Sequence, residues 1–229
     1  MVDAIVPGVQ KRSSLSLKQV ESVLCSLPRR RFERPRIDLE QYVTSAHVAA
    51  RVAACAVSRS GEVPERVVDL GTGTGMLAAA VVLHGCPVAV GVDVDVDALR
   101  LARENGQHLR RQSVHKPEHS VMDWIQADVV DGVPLSPKTF EVAVMNPPFG
   151  TRHRAVDMAF WDVACTLATD AVYTMHKSST REYVLRRARR AGHDAQVLAE
   201  VRFDLPASYR FHRQASADVA VDLWRVRLR

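Results

Sequence analysis

Short, mostly apolar runs alternate with stretches of helical periodicity through most of the chain, and this alternation constrains the fold more than any other feature. Such runs are typical of buried strands, and the amphipathic intervals between them are typical of surface helices. Apolar strands separated by helices indicate a parallel sheet covered on both sides. The predicted strands are residues 67–70, 88–92, 124–127, 142–145 and 171–175, and the predicted helices are 15–27, 45–58, 76–84, 95–109, 157–169 and 179–191.

The carboxyl-terminal part breaks this alternation. Residues 197–203 and 219–228 are two further strand-like runs with no helical stretch between them, and apolar and basic residues alternate over 224–229. Consecutive strands of this kind favour an antiparallel pair. The sequence therefore predicts an α/β, Rossmann-like domain with a seven-stranded, mostly parallel sheet, an antiparallel terminal strand and helices on both faces. We expect residues 1–14 to be a flexible leader and 15–229 to form this single domain.

The composition excludes few functions. Hydrophobic residues make up 47% of the chain, but no run of about 18 apolar residues is present, so neither a membrane span nor secretion is predicted. We expect a soluble, intracellular protein. The net charge of +5 fits a polyanionic partner without identifying one. The four cysteines lie far apart and lack the spacing of zinc ligands, which favours reduced, packed thiols and no metal site.

A glycine-rich segment directly follows the first predicted strand. Residues 69–75 read Asp-Leu-Gly-Thr-Gly-Thr-Gly and lead into a helix. Glycine allows a tight turn and a close approach of the backbone to a ligand. The spacing differs from the dinucleotide-binding pattern, and the acidic Asp69 suits a ligand that carries an ammonium group, as S-adenosylmethionine does. A purely structural turn is the alternative interpretation.

Two acidic residues after the next strands suit the rest of this cofactor. Asp93 follows the second strand about 20 residues beyond the loop, where a carboxylate can accept hydrogen bonds from both ribose hydroxyls. Asp128 follows the third strand, where it could accept a hydrogen bond from the adenine amino group, although a structural turn would favour the same residue. Asp95 and Asp97 are predicted to start the next helix.

The fourth strand ends at Asn146-Pro147-Pro148-Phe149. This segment is the most informative one about the reaction that the protein could catalyse. Two prolines make the turn rigid and fix the direction of its carbonyl groups. The Asn146 side-chain carbonyl and the Pro147 backbone carbonyl could each accept one N–H of an exocyclic adenine amine, which localises the nitrogen lone pair toward a methyl donor. Phe149 would stack on the base. The alternative is a sharp turn without a catalytic role.

These motifs resemble a known family: class I methyltransferases with an Asn-Pro-Pro-Phe/Tyr motif, and among them the eukaryotic enzymes that N6-methylate an adenosine of small-subunit (18S) ribosomal RNA. The resemblance spans roughly residues 15–229 and departs from the family at 110–120, a longer stretch just before the third strand, which we expect at the sheet edge. It is carried by Leu39-Glu40-Gln41-Tyr42 with Thr44, Asp69-Leu70-Gly71, Asp93, Asn146-Pro147-Pro148-Phe149-Gly150-Thr151, Asp157-Met158-Ala159-Phe160, residues 176–182 and residues 204–209.

The resemblance implies a cofactor, a substrate and a partner. It implies methylation of ribosomal RNA in the nucleus and cytoplasm by a heterodimer with a small zinc-binding activator protein, which pairs strand to strand with an exposed sheet edge. The residues expected to bind S-adenosylmethionine are Gln41, Thr44, Asp69, Gly71, Thr74, Met76, Asp93, Asp128, Val129 and Asn146.

Residues after the fifth and sixth strands are predicted to contact RNA, because they lie on the same rim as the catalytic turn in a sheet of this kind. They are His176, Lys177, Tyr209, Arg210, His212 and Arg213. A structural loop with solvated charges is the alternative, and the arginines at 186, 187, 189 and 190 fit either a solvated helix face or a nucleic-acid patch. Two other functions also stay open: methylation of a glutamine amide, and a ribosome-assembly factor without catalysis.

Overall fold

The computed structural model describes residues 15–58, 63–112, 120–150, 155–206 and 216–229. These residues form one seven-stranded sheet in the order β3-β2-β1-β4-β5-β7-β6, with helices on both faces. The strands are β1 Arg66–Leu70, β2 Val88–Asp93, β3 Val121–Gln126, β4 Phe140–Met145, β5 Ala168–Lys177, β6 Asp194–Pro206 and β7 Ser216–Arg227. The helices are α1 Leu17–Ser26, α2 Ala46–Ser58, α3 Met76–Leu83, α4 Val96–Arg111, α5 Val156–Leu167 and α6 Arg181–Arg190, and a 3₁₀ turn covers Ser178–Thr180.

The strand directions confirm the predicted fold class. Strands β1 to β5 are parallel neighbours, whereas β7 runs antiparallel to both β5 and β6. Strand β3 lies at one edge, as expected, but it begins at Val121, three residues before the predicted start. Its exposed and buried residues alternate over the first three positions, because an edge strand is covered less completely than a central one.

Two hydrophobic clusters cover the two faces of the sheet. The first includes α1, α2 and α3, and the second includes α5 and α6. All residues of α3 are buried, since this helix packs against both the sheet and the outer helices α1 and α2. An entirely apolar helix is stable only in such a position.

Local capping fixes where the helices near the candidate site begin. The Ser45 hydroxyl accepts a hydrogen bond from Val48 N at 3.2 Å before α2, and the Asp95 carboxylate accepts one from Asp97 N at 3.0 Å before α4. Both starts confirm the predictions. Cys25 is exposed, which corrects the expectation that all four thiols are packed. Within the described ranges, no helix combines the length and apolar character needed to cross a membrane.

Several predicted features lie outside the described residues. These are the leader 1–14, most of the long stretch 110–120, and four of the six residues predicted to contact RNA, namely Tyr209, Arg210, His212 and Arg213.

Candidate active site

The candidate site lies where the strand order reverses. Strand β1 has β2 on one side and β4 on the other, so the loops that follow these strands diverge and leave a crevice at their carboxyl ends. The register brings the three ends to one level, because Leu70 pairs with both Val92 and Met145. The glycine loop, Asp93 and the turn 146–149 therefore border the same crevice.

Backbone hydrogen bonds hold the glycine loop against β2. The amides of Gly71 and Thr72 both donate to Val92 O, at 2.9 and 3.0 Å. The three loop glycines have left-handed φ values, a conformation that other residues rarely adopt. A Cβ atom on Gly73 would lie 3.1 Å from the ring of Phe32, a residue that the sequence analysis did not single out. The amino-terminal segment thus packs directly on the loop.

Asp69 is buried beneath this loop. One carboxylate oxygen, Oδ2, accepts hydrogen bonds from Thr72 Oγ1 at 2.6 Å and from Ala78 N at 3.1 Å, which ties the loop to α3. The other oxygen, Oδ1, is buried with no hydrogen-bond partner among the described residues. Burial raises the pKa of the Asp69 carboxyl to about 7. A cationic group nearby would satisfy the unpaired oxygen.

Asp93 joins the loops that follow β1 and β2. It accepts hydrogen bonds from Gly73 N at 2.8 Å and from Asp95 N at 3.0 Å, and burial raises the pKa of its carboxyl group. Each carboxylate oxygen keeps a second lone pair, so ribose hydroxyls remain possible donors.

Asp128, Val129 and Met76 are the remaining predicted cofactor contacts around the crevice. Asp128 Oδ1 accepts a hydrogen bond from Val130 N at 2.8 Å, which is the turn anticipated as its alternative role. Val129 is 3% exposed and Met76 is 2% exposed, so their backbone atoms are better placed than their side chains to meet a ligand.

Residues 27–44, which we call the N-terminal strap, cross this site and are fixed first at Arg29. The side chain of Asn105 accepts a hydrogen bond from Arg29 N and donates to Arg29 O and Thr74 O, each at 2.9 Å. Sequence analysis missed Asn105, although a polar residue on the apolar face of α4, in line with Leu101 and Leu109, was a usable signal.

Two further contacts fix the other end of the strap. Gln41 Nε2 donates to Asp95 Oδ2 at 2.6 Å, and the Thr44 hydroxyl accepts a hydrogen bond from Asn146 Nδ2 at 3.1 Å. The structure therefore brings these predicted residues together around the carboxyl ends of β1, β2 and β4.

The side chain of Asn146 is the most informative part of the site. Its amide nitrogen is occupied by Thr44, while its carbonyl oxygen Oδ1 is buried and has no hydrogen-bond partner among the described residues. A buried acceptor without a donor is costly, and native proteins usually satisfy one with a ligand or water. Pro147, the next residue, contributes a backbone carbonyl within the same rigid turn.

The side chain of Phe149 is less exposed to solvent than a ring that stacks on a base was expected to be. Its side chain is 7% exposed, and its ring stacks on Tyr42 with the ring centroids 6.1 Å apart and the planes 19° from parallel. A base that stacks on Phe149 therefore has to take the place of Tyr42 or approach the remaining edge of the ring. Stacking on a base stays a prediction.

The position of His176 corrects its predicted contact with RNA. The side chain is 1% exposed, with Nδ1 lying 3.2 Å from Asp157 Oδ2 and Nε2 lying 3.1 Å from Thr174 Oγ1. The ring also contacts Trp161 at 5.8 Å between centroids. An imidazole enclosed in this way has no surface to offer a nucleic acid. Lys177, the next residue, is half-buried at the end of β5.

The residues present fit a sulfonium cofactor. The unpaired Asp69 oxygen can face a cation, and the carboxylate of Asp93 keeps lone pairs for the hydroxyls of a diol. In the described part of the chain, no three His, Cys, Asp or Glu side chains are grouped to hold a metal ion. The sheet order and the glycine loop together define a Rossmann-like methyltransferase of the class that uses S-adenosylmethionine.

Comparison with known proteins identifies the family. The chain belongs to the methyltransferase small domain family, whose model matches residues 52–177. It is 40% identical over 214 residues to the rRNA N(6)-adenosine-methyltransferase Mettl5 of Drosophila melanogaster, covering 92% of this chain and 96% of the relative. The rRNA N(6)-adenosine-methyltransferase METTL5 of Danio rerio is 37% identical, covering 92% of this chain and 98% of the relative.

A solved structure agrees with this assignment. A Pyrococcus horikoshii protein described as a candidate RNA methyltransferase superposes with a TM-score of 0.76 at 26% sequence identity, over 94% of this chain and 99% of that one. The similarity therefore extends well beyond the segment matched by the family model.

Proposed function

We propose that this protein transfers a methyl group from S-adenosylmethionine to the exocyclic N6 of an adenosine in small-subunit ribosomal RNA. The observation that carries the proposal is the buried carbonyl oxygen of Asn146, unpaired among the described residues and held in place by the hydrogen bond that the side-chain amide donates to Thr44. The relatives that match almost the full length of the chain are named as rRNA N6-adenosine methyltransferases, which supports both the chemistry and the substrate.

The proposed mechanism follows from two acceptors in one rigid turn. The exocyclic amine of adenine is a poor nucleophile, because its lone pair is delocalised into the ring. The Asn146 Oδ1 atom and the Pro147 carbonyl each accept one N–H, so the lone pair is localised on nitrogen and directed at the methyl group. When bound, the cofactor would supply an electrophilic methyl group on a positively charged sulfur. The carbon–sulfur bond would break as the carbon–nitrogen bond forms, leaving a neutral thioether, and the methylated nitrogen would release one proton to water. Pro148 keeps the turn rigid, and Phe149 lies beside the base.

Two alternatives make different predictions about the product. The same turn could hold a glutamine amide, and the release factor glutamine methyltransferase of Escherichia coli is 36% identical over 96 residues. That match covers 41% of this chain and 31% of the relative, far less than the matches to the ribosomal RNA enzymes. A scaffold without catalysis leaves the unpaired Asn146 oxygen unexplained.

A partner protein fits one of the two edges of the sheet, the edge formed by β3. Strand β3 is an edge strand, and its first residue, Val121, is 39% exposed. Unpaired backbone groups at such an edge favour pairing with a strand of another chain. We propose that the small zinc-binding activator pairs with this strand.

We also propose that residues 15–229 act as one methyltransferase domain. Its location would be the nucleus and cytoplasm, where ribosomal RNA is made and assembled into ribosomes.

The test is product analysis after methyl transfer. The full-length protein, with and without the activator, is incubated with labelled S-adenosylmethionine and small-subunit ribosomal RNA, and the RNA is digested to nucleosides. We expect labelled N6-methyladenosine, and an Asn146→Ala variant that still binds the cofactor should lose about a hundredfold to a thousandfold in turnover. Label found only on protein glutamine would favour the second function, and no transfer by the wild-type complex would favour the scaffold.

A further inference from the structure

A groove between α5 and α6 lies apart from the glycine loop and the N-terminal strap. It encloses about 500 Å³ and is lined by side chains of both helices. The helices belong to the second hydrophobic cluster, whereas the strap packs with the first. The lining includes Trp161, Asp162, Tyr183, Arg186, Arg187 and Arg190.

The groove carries positive charge that the described residues do not fully neutralise. Arg187 is held by Asp162, the one acidic residue of the lining, through contacts from Nη2 to both carboxylate oxygens. Arg186 and Arg190 are exposed, and within the described ranges neither forms a hydrogen bond or an ion pair. Two guanidinium groups therefore remain for a ligand, and guanidinium groups bind phosphate oxygens well.

An aromatic side chain completes the groove. Tyr183 is 46% exposed, although large aromatic residues usually bury most of their surface. Trp161 forms the floor and is 1% exposed. Grooves that bind single-stranded nucleic acid combine positive charge along the backbone with aromatic rings on which bases stack. The lining of this groove has both components.

The groove also starts near the carboxyl end of β5, on the side of the sheet where the candidate site lies. Helix α6 follows β5 after a single 3₁₀ turn, and Tyr183 is its third residue. Arg190 lies about 10 Å further along the helix axis, at about 1.5 Å per residue. The floor residue Trp161 contacts His176 near the carboxyl end of β5. The end of the groove at Tyr183 therefore lies toward the carboxyl ends of the parallel strands, the side of the sheet on which the turn 146–149 also lies.

We infer that this groove binds the single-stranded RNA that flanks the target adenosine. Arg186 and Arg190 contact phosphates, and Tyr183 stacks on an unpaired base. The inference rests on the proposed function for its RNA substrate and extends substrate binding beyond the catalytic turn.

The first test removes the two free arginines. The double variant Arg186→Ala with Arg190→Ala is compared with the control Arg103→Ala with Arg189→Ala, which removes two exposed arginines outside the groove lining, one of them on the same helix. The dissociation constant for a labelled single-stranded fragment of small-subunit ribosomal RNA is measured over a salt series. The groove variant should bind RNA about tenfold more weakly at low salt. The slope of the logarithm of the association constant against the logarithm of the salt concentration should become shallower by about 1.4, because two phosphate contacts are lost and each contributes about 0.7 in single strands. The control variant should stay near the wild-type slope.

The second test concerns the aromatic ring. Tyr183→Ala should weaken RNA binding about tenfold, whereas Tyr183→Phe should keep wild-type affinity because a phenyl ring stacks equally well. Unchanged S-adenosylmethionine binding and thermal stability establish that each variant is folded. Equal RNA affinities and salt slopes for both double variants would overturn the inference and favour an acidic protein segment as the ligand. Wild-type protein that binds RNA but methylates none would instead contradict the proposed function.

Discussion

The side-chain amide of Asn146 donates a hydrogen bond to the hydroxyl of Thr44 at 3.1 Å, across a sequence separation of 102 residues. In this arrangement the amide nitrogen faces Thr44, and Oδ1 is left as the free acceptor. It also joins the N-terminal strap to the turn 146–149. Order in the strap and orientation of the Asn146 carbonyl are thereby coupled.

Thr44→Val should therefore impair catalysis while preserving the shape of the side chain. Without the hydroxyl, Asn146 loses its orienting partner, and a catalytic group that is misplaced by about 1 Å can cost about a hundredfold in rate. We expect kcat to fall between about tenfold and a hundredfold, more than the affinity for S-adenosylmethionine falls. Thr44→Ser should restore most of the rate. An unchanged kcat in the valine variant would show that the bond does not orient the asparagine.

Asn105→Ala should loosen the strap at its other end. The substitution removes three hydrogen bonds from a side chain that is 1% exposed, and it leaves backbone groups of Arg29 and Thr74 without partners. Each unsatisfied buried group costs about 1–3 kcal/mol. We expect lower stability in urea, faster proteolysis within residues 27–44 and weaker cofactor binding. Glu104→Gln is the matched control, because its ion pair with Arg29 is solvent-exposed and contributes little. Equal behaviour of the two variants would argue against Asn105 as the anchor.

Gly91→Ala should disrupt the packing of Trp124 and the glycine loop against β2. A Cβ atom at this position would lie 2.6 Å from the Trp124 ring and 2.8 Å from Thr72 Oγ1, so the ring or the loop would have to move. Overpacking of this kind costs about 1–3 kcal/mol. Gly106→Ala is the control against the same ring, because its Cβ would lie 3.4 Å away and alanine favours a helix by about 0.5–1 kcal/mol. Chemical denaturation should separate the two variants, and equal losses would contradict this packing.

The fold was largely predictable, because its strands and helices carry strong local patterns. The main differences were at the strand boundaries: β3, β5, β6 and β7 each begin three residues before the predicted start, and the helix predicted at 157–169 includes the first two residues of β5. Strand β3 begins at Val121 rather than at residue 124. An edge strand buries only some of its residues, so its first half lacks the continuous apolar run of a central strand. The antiparallel end of the sheet was predictable from the alternation around Trp224, which β7 confirms.

The candidate site was predictable where a residue sits at the end of a strand and less so where contacts come from distant segments. Asp69, Asp93 and Asn146 follow from strand ends and motifs. Phe32 and Asn105 act through contacts with loops far away in sequence, which no local pattern encodes. His176 was placed correctly at the end of β5, but the covering by Trp161 and Asp157 that buries it depends on how α5 packs.

The buried carboxyl group of Asp69 should make stability depend on pH. Burial raises its pKa from an ordinary value of 3.8 to about 7, so between these values the folded protein retains a proton that the unfolded chain releases. The folded state then binds more protons, and the free energy of unfolding should fall as pH rises through this interval. Asp69→Asn should flatten that slope in urea titrations performed at successive pH values. Saturating S-adenosylmethionine should also reduce the slope in the wild type, because a cation beside Oδ1 favours the ionised carboxylate. Parallel slopes for wild type and variant without cofactor would show that Asp69 stays ionised in the folded protein.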